Sequence, residues 1–435
     1  MNVVAAGVLV AVFGAVMLRQ VLGRGPPVWV AFGIGAVATV GLEVLSPIGA
    51  FAALVAATPV ILFLFALFVF ARALERAGAI DHLARWLLGR APSPRDLPAV
   101  LFVGFGVASA FLLNDALVLL GVPLLLGVAR RLRVAATPLL LTLAFAVSVG
   151  SVATPFGNPQ NLLIASASGL SDPVATFLRY LLVPTAINLA LGAWYLRRVF
   201  AARLAEAAGA TVGTPEPRVP FWPRGGWTAR LASHPALAIF PVTLGVIVGT
   251  SLLAPIDARF ALPSWIVALG GAVLVLALSA QRGPIVRRVN GTVLLLFVGL
   301  FVVVAGAVAG GVVPALEGIF PIPAPGATPG ALGAIVLTSL LGPQLVSNVP
   351  WVALQIPVLA HLGYGGSTPL AWMALAGAST LAGNVTLLGA ASNLIVAEVA
   401  EKDGSPVRLG EFVRYALPLA AMTTAVLFVT LWLGW

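Results

Sequence analysis

The chain alternates between long apolar stretches and short breaks that are charged or rich in Pro and Gly. A bilayer core about 30 Å thick requires about 20 apolar helical residues for one crossing, and the stretches have roughly this length. The pattern predicts an all-α polytopic membrane protein. Ten full spans are predicted, at 3–18, 27–42, 51–71, 136–168, 176–196, 236–254, 264–280, 290–313, 369–397 and 412–434.

Two further apolar stretches, 97–129 and 331–362, carry polar residues and prolines in their middle, and each is predicted to be a re-entrant helical hairpin. The basic residues support this topology. With both termini outside and both hairpins re-entrant, 22 of the 24 Lys and Arg residues fall on one face, and only Arg179 and Arg259 do not. Cytoplasmic loops carry an excess of Lys and Arg. We therefore predict a multi-pass protein of the plasma (inner) membrane with both termini outside.

Composition agrees with the lipid bilayer as the surroundings of the chain. Hydrophobic residues make up 60% of the sequence and charged residues 9%, which is outside the range of soluble domains. The net charge of +10 follows from the basic loops, so no nucleic-acid partner is predicted. The chain has no cysteine, which excludes disulfides and Cys-based metal sites.

The two halves of the chain share a spaced pattern of residues. Asn114 and Asn348 are each followed, nine residues later, by a proline. The segments 154–165 and 386–397 both fit Thr-x-x-Gly-x-x-x-Asn-Leu, followed by Leu or Ile, Ile or Val, and Ala. Agreement at this many spaced positions indicates an internal repeat.

This pattern predicts two structural repeats, at 1–196 and 236–435, joined by a cytoplasmic linker at 197–235 that is rich in Pro, Gly and Arg. Each repeat has five spans and one hairpin, and one span of each is predicted to be a broken helix, at 136–168 and 369–397. Because five crossings is an odd number, the second repeat is inverted relative to the first. Inverted repeats with discontinuous helices are typical of secondary transporters, whose sites lie near the bilayer midplane.

The broken helices and hairpin tips hold the candidate binding residues. Pro155, Gly157 and Pro159 cannot all belong to a regular helix, so the chain opens there. Half-helix N-termini favour anions and C-terminal carbonyls coordinate cations, so Na⁺ is a candidate ion at the broken helices. No cofactor or other metal is predicted. The candidate substrate- and ion-binding residues are Asn114, Asp115, Thr154, Gly157, Asn158, Gln160, Asn161, Ser347, Asn348, Asn384, Thr386, Gly389, Ser392 and Asn393.

Asp115 is the one acidic residue that the predicted topology places deep in the membrane. A buried carboxylate is costly unless it is paired or protonated, and acids inside the membrane are candidates for function. Proton coupling through Asp115 is therefore one hypothesis. The alternative is that Asn114 and Asp115 only cap the returning arm of the hairpin.

The segments 114–123, 154–165, 347–357 and 383–397 resemble those of the ion transporter superfamily. That superfamily includes divalent anion/sodium symporters, citrate-transporter-like permeases, arsenite efflux permeases and some sodium/proton antiporters. The resemblance covers nearly the whole chain and implies an elevator motion of a mobile domain against a scaffold in a homodimer. It also implies that the hairpin tips and helix breaks hold substrate and cation through Asn114, Asp115, Ser347, Asn348, Asn161 and Asn393.

The two tips depart from the dicarboxylate symporters, which carry Ser-Asn-Thr at both. Here residues 113–115 read Leu-Asn-Asp and residues 347–349 read Ser-Asn-Val. Because two hydroxyl ligands for a carboxylate are missing and a negative charge is added, a small inorganic anion or neutral oxyacid such as arsenite fits better than a di- or tricarboxylate. We predict a secondary active transporter of a small anion or oxyacid, coupled to H⁺ or Na⁺. The alternatives are a sodium/proton antiporter of the same superfamily and, less favoured, an ion channel.

An intramembrane enzyme requires a catalytic constellation that this sequence does not supply. The three histidines, His82, His234 and His361, fall at predicted span ends or in loops, and no second aspartate at membrane depth partners Asp115. We therefore predict that the chain is not an enzyme.

Overall fold

The computed structural model describes residues 1–208, 231, 233–325 and 329–433, and these ranges are built from α-helices with short 3₁₀ turns and no β-strand. Within them, eight helices are long and apolar enough to cross a membrane. The prediction of an all-α, multi-pass membrane protein is confirmed. The eight helices are Val3–Leu22, Pro47–Arg76, Ala136–Ala153, Pro173–Leu204, Ala236–Leu253, Gly291–Ala309, Pro329–Val346 and Leu409–Leu433, and two shorter apolar helices are Val28–Gly41 and Ser264–Leu278.

The last helix of the first half of the chain runs over Pro173–Ala208, beyond the predicted start of the linker at 197. Leu196, Phe200 and Leu204 recur every four residues and are fully buried, so the packed face of the helix continues past the predicted boundary. Arginines on its other faces give this last part the composition of a loop. The rest of the predicted linker, at 209–230, lies outside the described residues.

Hairpin 1 consists of the helices Leu97–Ser109 and Asn114–Leu132, joined by a short turn. A third, short helix, Ala79–Leu88, precedes the hairpin and packs against both of its arms. The returning arm begins at Asn114, so the polar residues that the sequence places in the middle of this stretch lie at the tip of the hairpin.

Hairpin 2 is divided into three helical segments, Pro329–Leu341, Pro343–Val346 and Asn348–His361. The Tyr364 hydroxyl donates a hydrogen bond to the Pro323 carbonyl at 2.9 Å, which joins the segments that precede and follow the hairpin. The two ends of hairpin 2 therefore lie together at one end of the molecule, although the first two segments together are long enough to cross a membrane.

Both broken helices are interrupted near their middle. Broken helix 1 consists of Ala136–Gly150 and Pro159–Ala167, with a 3₁₀ turn and an extended stretch between them. Broken helix 2 consists of Pro369–Leu381 and Ala391–Lys402, with two 3₁₀ turns between them. Pro159 opens the second half of broken helix 1, where its missing N–H costs nothing. The interruptions therefore expose backbone groups in the centre of the protein.

The helices pack in two groups. The helices of 3–76 pack mainly on those of 236–309, and we call this group the scaffold bundle. The hairpins, the broken helices and the closing helices Pro173–Ala208 and Leu409–Leu433 form the second group, which we call the core bundle. Both closing helices belong to the core bundle and pack on each other.

Within the core bundle, the arms of the hairpins pack on the broken helix of the other half. The arm Asn114–Leu132 contacts Ala391–Lys402, and the arm Asn348–His361 contacts Pro159–Ala167. Each half of the chain therefore completes the surroundings of the other, which brings both tips and both breaks into one region.

The contact between hairpin 1 and broken helix 1 depends on glycine. A Cβ atom on Gly150 would lie only 1.8 Å from the carbonyl oxygen of Gly106, and this neighbour is backbone that cannot rotate away. The two backbones approach so closely because neither residue has a side chain. This approach positions Ser109 against broken helix 1.

We predict that Gly150→Ala lowers the melting temperature of the purified protein, because the added methyl group forces a backbone shift that costs about 1–3 kcal/mol. Thermal unfolding in detergent measures the change. Gly245→Ala is the control, since no heavy atom lies within 4 Å of its Cβ position, and its melting temperature should be unchanged or higher. Equal behaviour of the two variants would contradict the glycine contact.

Candidate functional site

Asn114 lies in a hydrogen-bonded network at the tip of hairpin 1. With its amide oriented to satisfy the network, Nδ2 donates to the carbonyls of Gly157 at 3.0 Å and Val147 at 3.1 Å. Oδ1 then accepts from the Ser151 hydroxyl at 3.1 Å. The Ser109 hydroxyl lies 2.7 Å from Nδ2 and donates to the Val147 carbonyl at 2.6 Å. The network fixes the tip to broken helix 1.

Asn158 and Asn161 form a second network in broken helix 1. Asn158 caps the second half of this helix by accepting from the Asn161 backbone N–H at 2.8 Å. Asn161 Nδ2 donates to the carbonyls of Ser151 at 3.0 Å and Thr154 at 3.2 Å. The Thr380 hydroxyl donates to Asn161 Oδ1 at 3.1 Å and accepts from Asn158 Nδ2 at 3.3 Å. Because Thr380 belongs to broken helix 2, this network joins the two halves of the chain.

The break itself touches the tip of hairpin 1. A Cβ atom on Gly157 would lie 2.6 Å from the Ser109 carbonyl oxygen, so glycine is required at this position. The Thr154 hydroxyl donates to the Ala110 carbonyl and accepts from the Phe156 N–H at 3.3 Å. Thr154 and Gly157 therefore hold the break against the tip and leave no room for a ligand between them.

Broken helix 2 repeats one part of this arrangement. Asn393 Nδ2 donates to the carbonyl of Gly383, ten residues earlier, and to that of Thr386, seven residues earlier, at 3.4 Å. Asn161 makes its two bonds at the same separations of ten and seven residues. The residue pattern shared by the two halves therefore corresponds to one hydrogen-bonding device.

Three asparagines of the second half have buried side-chain atoms without a hydrogen-bond partner among the described residues. No described residue satisfies Asn348 Oδ1, Asn393 Oδ1 or either polar atom of the Asn384 amide. Asn384 and Asn393 are 0% exposed and Asn348 is 6% exposed. We call these three residues the repeat-2 amides. Each unsatisfied buried polar group costs about 1–3 kcal/mol, so this cluster favours a ligand that bonds to it.

The positions of the missing partners explain this difference between the halves. Asn114 bonds to Ser109, five residues earlier, whereas the residue five before Asn348 is Pro343, which has no hydroxyl. The residue ten before Asn161 is Ser151, and the residue ten before Asn393 is Gly383. The second half therefore lacks counterparts of the two hydroxyl groups that surround Asn114, which leaves Asn348 Oδ1 without a donor.

Ser347, at the tip of hairpin 2, has a strained backbone. Its φ of 70° and ψ of 165° lie in a region that is nearly exclusive to glycine, and strain of this kind is found at ligand sites. Gln344 supports the tip by donating to the Ala382 carbonyl at 2.9 Å and accepting from the Thr386 hydroxyl at 2.7 Å. Gly389 leaves room for this contact, since its Cβ would lie 3.0 Å from Gln344 Nε2.

Three further candidate residues have polar side chains without partners among the described residues. Asp115 lies half-buried in the first turn of the returning arm of hairpin 1, and no ion pair or side-chain hydrogen bond involves its carboxylate. Gln160 and Ser392 occupy matching positions, each one residue before the asparagine of the pattern that the two halves share, and are 3% and 2% exposed. Their side chains make no hydrogen bond to another described residue.

The electrostatics of the region come mainly from helix ends. Four helices begin at the tips and breaks, at Asn114, Pro159, Asn348 and Ala391. Helix N-termini carry partial positive charge, which favours anions and electron-rich oxygen atoms. Within five residues of these four starts there is no Lys, Arg or His, and Asp115 is the one acidic residue.

A cavity of about 340 Å³ lies between the scaffold bundle and broken helix 1. Pro59 and Phe63 line it from the scaffold bundle, and Pro155 and Phe156 line it from the break. The rings of Phe63 and Phe156 stack with their centroids 5.7 Å apart and their planes 9° apart, beside the Thr154 contact to hairpin 1. The cavity therefore ends at the break.

The sequence did not identify several side chains that complete these networks. Ser109, Ser151 and Thr380 satisfy amides in the first half, and Gln344 braces the second. Their one visible signal is a polar residue inside an otherwise apolar span. Which polar residues in a span bond to which asparagine depends on packing between distant segments.

We predict that Thr380→Val lowers the melting temperature, because it leaves buried Asn161 Oδ1 without a donor at a cost of about 1–3 kcal/mol. Thr380→Ser should retain most of the stability. Thermal unfolding in detergent is the measurement.

The control for this prediction is Thr430→Val, because the Thr430 hydroxyl bonds only to carbonyls of its own helix, at 2.7 and 3.0 Å. A melting temperature for Thr380→Val as high as that of Thr430→Val would show that the bond between the halves is not important for stability.

Proteins with sequences similar to this chain include several transporters. The chain is 30% identical to an uncharacterized transporter of Mycobacterium bovis over 396 residues, which covers 86% of this chain and 85% of the relative. It is 28% identical to the silicon efflux transporter LSI3 of Oryza sativa subsp. japonica over 447 residues, covering 90% of each.

Solved structures show a similar fold at low sequence identity. The YdaH transporter of Alcanivorax borkumensis aligns with a TM-score of 0.58 and 17% identity, covering 88% of this chain and 86% of that one. MtrF of Neisseria gonorrhoeae aligns with a TM-score of 0.55 and 13% identity, covering 99% and 94%. The sequence profile of the citrate transporter family, CitMHS, matches residues 13–377. The chain therefore belongs to the citrate transporter family and is a membrane transporter, not an enzyme.

Proposed function

We propose that this transporter is a secondary active transporter that moves a small anion or oxyacid across the plasma (inner) membrane, coupled to H⁺ or Na⁺. The observation that carries the proposal is the cluster of repeat-2 amides, whose free atoms no described residue satisfies. A substrate or ion that bonds to these atoms removes the cost of leaving them unpaired. The strained backbone of Ser347 beside Asn348 supports a ligand at the same tip.

The charges near the site favour a small and weakly charged substrate. No basic side chain lies within five residues of the four helix starts, so a citrate trianion would find no cationic partner there. Helix N-termini and amide N–H groups suit a small oxyanion. Amide oxygens accept hydrogen bonds from the hydroxyl groups of a protonated oxyacid. The relative from Oryza sativa is a silicon efflux transporter, which agrees with an oxyacid as the substrate.

Two ions are candidates for coupling. Asp115 has no partner among the described residues, and an unpaired acid in a hairpin tip can bind and release a proton during transport. Na⁺ is the second candidate, because the carbonyl groups of the helix breaks and the free oxygens of the repeat-2 amides are suitable ligands for a hard cation. A sodium/proton antiporter that uses Asp115 and carries no anion is the alternative function.

The two-bundle packing supports an elevator mechanism. The core bundle holds both tips and both breaks, and the cavity beside Phe156 lies at its boundary with the scaffold bundle. We propose that the core bundle moves against the scaffold bundle of a homodimer, with the basic loops in the cytoplasm and both termini outside. Three ion pairs join segments that this topology assigns to the cytoplasmic face: Arg130 with Asp403, Arg197 with Asp96, and Arg203 with Glu411.

Stability and transport should respond differently in the two halves of the chain. We predict that Asn384→Leu abolishes substrate flux while the melting temperature is unchanged or higher, because it removes two unsatisfied buried polar atoms. Asn161→Leu should lower the melting temperature instead, because it leaves the Ser151 and Thr154 carbonyls unpaired. Flux in proteoliposomes and thermal unfolding are measured on the same preparations.

The panel of substrates for these measurements is silicic acid, arsenite, phosphate, sulfate, succinate and citrate. If the wild type transports one of these solutes and Asn384→Leu retains the full flux, the repeat-2 amides are excluded as the binding site.

Asp115→Asn tests the coupling ion. We predict that the variant loses accumulation driven by an imposed proton gradient and keeps downhill exchange of the same substrate, because the amide cannot carry a proton. Glu398→Gln is the matched control, since Glu398 is 67% exposed and pairs only with Lys402. If the variant still accumulates the substrate under a sodium gradient, Na⁺ is the driving ion. Cation exchange without flux of any panel substrate would support the antiporter.

A further inference from the structure

An apolar groove of about 660 Å³ lies between the short helix Ala79–Leu88 and the first arm of hairpin 1. Leu83 and Leu87 line it from the short helix, and Val103 and Val107 line it from the arm. Val103 is 40% exposed and Val107 is 50% exposed, so this side of the hairpin faces the surroundings of the protein. The groove has the apolar walls that a hydrocarbon chain requires.

The mouth of this groove carries positive charge. Arg90 lines the groove and stacks over the Trp86 ring at 4.5 Å, which holds the guanidinium at the rim. Arg85 and Arg95 are exposed and lie five residues to either side of Arg90. Among the described residues, no acidic side chain pairs with any of these three arginines.

We propose that this groove binds an anionic phospholipid, with one acyl chain between the short helix and hairpin 1 and the phosphate on Arg90, while the exposed Arg85 and Arg95 add positive charge nearby in the chain. Arginine is well suited to phosphate because its planar donors bind two oxygens at once. Basic pockets at the cytoplasmic ends of membrane helices bind anionic headgroups. A zwitterionic lipid offers the same chains but no net charge to match the arginines, so the charge selects the headgroup.

The groove also reaches the tip of hairpin 1. Ala108 and Phe111 line its inner end and flank Ser109 and Ala110 in the chain. The Ser109 hydroxyl bonds to broken helix 1, and the Ala110 carbonyl accepts from Thr154. An acyl chain in the groove therefore packs behind the residues that fix the tip, and its binding should raise the stability of hairpin 1.

Lipid binding by the purified protein tests the proposal without reference to the transported solute. Native mass spectrometry in a neutral detergent compares phosphatidylglycerol with phosphatidylcholine. We expect the wild type to retain phosphatidylglycerol preferentially, and we expect the double variant Arg85→Gln and Arg90→Gln to bind it about 30-fold more weakly, because it removes the arginine that lines the groove and a second positive charge near it. The control is the double variant Arg282→Gln and Arg287→Gln, which removes two exposed arginines elsewhere on the same predicted face.

A second variant fills the groove without changing its charge. Val103→Trp should displace bound phosphatidylglycerol, whereas Val37→Trp, at a 74% exposed position on the helix Val28–Gly41, should not. Equal retention of the two lipids by the wild type, or unchanged phosphatidylglycerol binding in both the double variant and Val103→Trp, would overturn the proposal. Either result is independent of whether the protein transports an oxyacid.

Discussion

Backbone groups at membrane depth must be paired inside the protein, and the two interrupted helices leave several of them without helical partners. Asn161 and Asn393 meet this requirement in the same way, because each amide donates to two carbonyls at the same separations along the chain. A side-chain amide has two donors, so one asparagine satisfies both carbonyls of a break. The breaks can therefore persist in the apolar centre, and the tips of the hairpins are positioned against them.

Both halves contain this asparagine arrangement, but they differ in whether neighbouring side chains satisfy the other amide groups. In the first half, Ser109, Ser151 and Thr380 bond to the amides of Asn114, Asn158 and Asn161, so these three asparagines behave as structural elements. In the second half, Pro343 and Gly383 stand where hydroxyl groups would be needed, and the repeat-2 amides keep free atoms. Polar groups that are buried without partners reduce stability, and a ligand, an ion or an ordered water that bonds to them removes this cost. Our proposal of a ligand in the second half rests on this difference between the two halves.

Hydrophobic pattern was sufficient to predict a multi-pass, all-helical protein, since the lengths of apolar stretches are set by the thickness of the bilayer. The spaced asparagines and glycines also indicated where the helices break, because Pro155, Gly157 and Pro159 are incompatible with a continuous helix. The helix Pro173–Ala208 continues past its predicted end, because burial of Phe200 and Leu204 by distant segments outweighs the loop-like composition around them. Local sequence does not report such packing.

The hydrogen-bond partners of the asparagines could not be predicted from the sequence either, because they too depend on packing between distant segments. Thr380 meets Asn161 across more than two hundred residues, and only the crossing of the two halves brings their side chains together. Sequence spacing can place an amide in a break, but it cannot tell whether a hydroxyl from another segment satisfies that amide. Function depends on this last step, since a satisfied Asn161 holds a helix break together while an unsatisfied Asn384 offers two atoms to a ligand. The residue type is the same in both positions, and its surroundings decide its role.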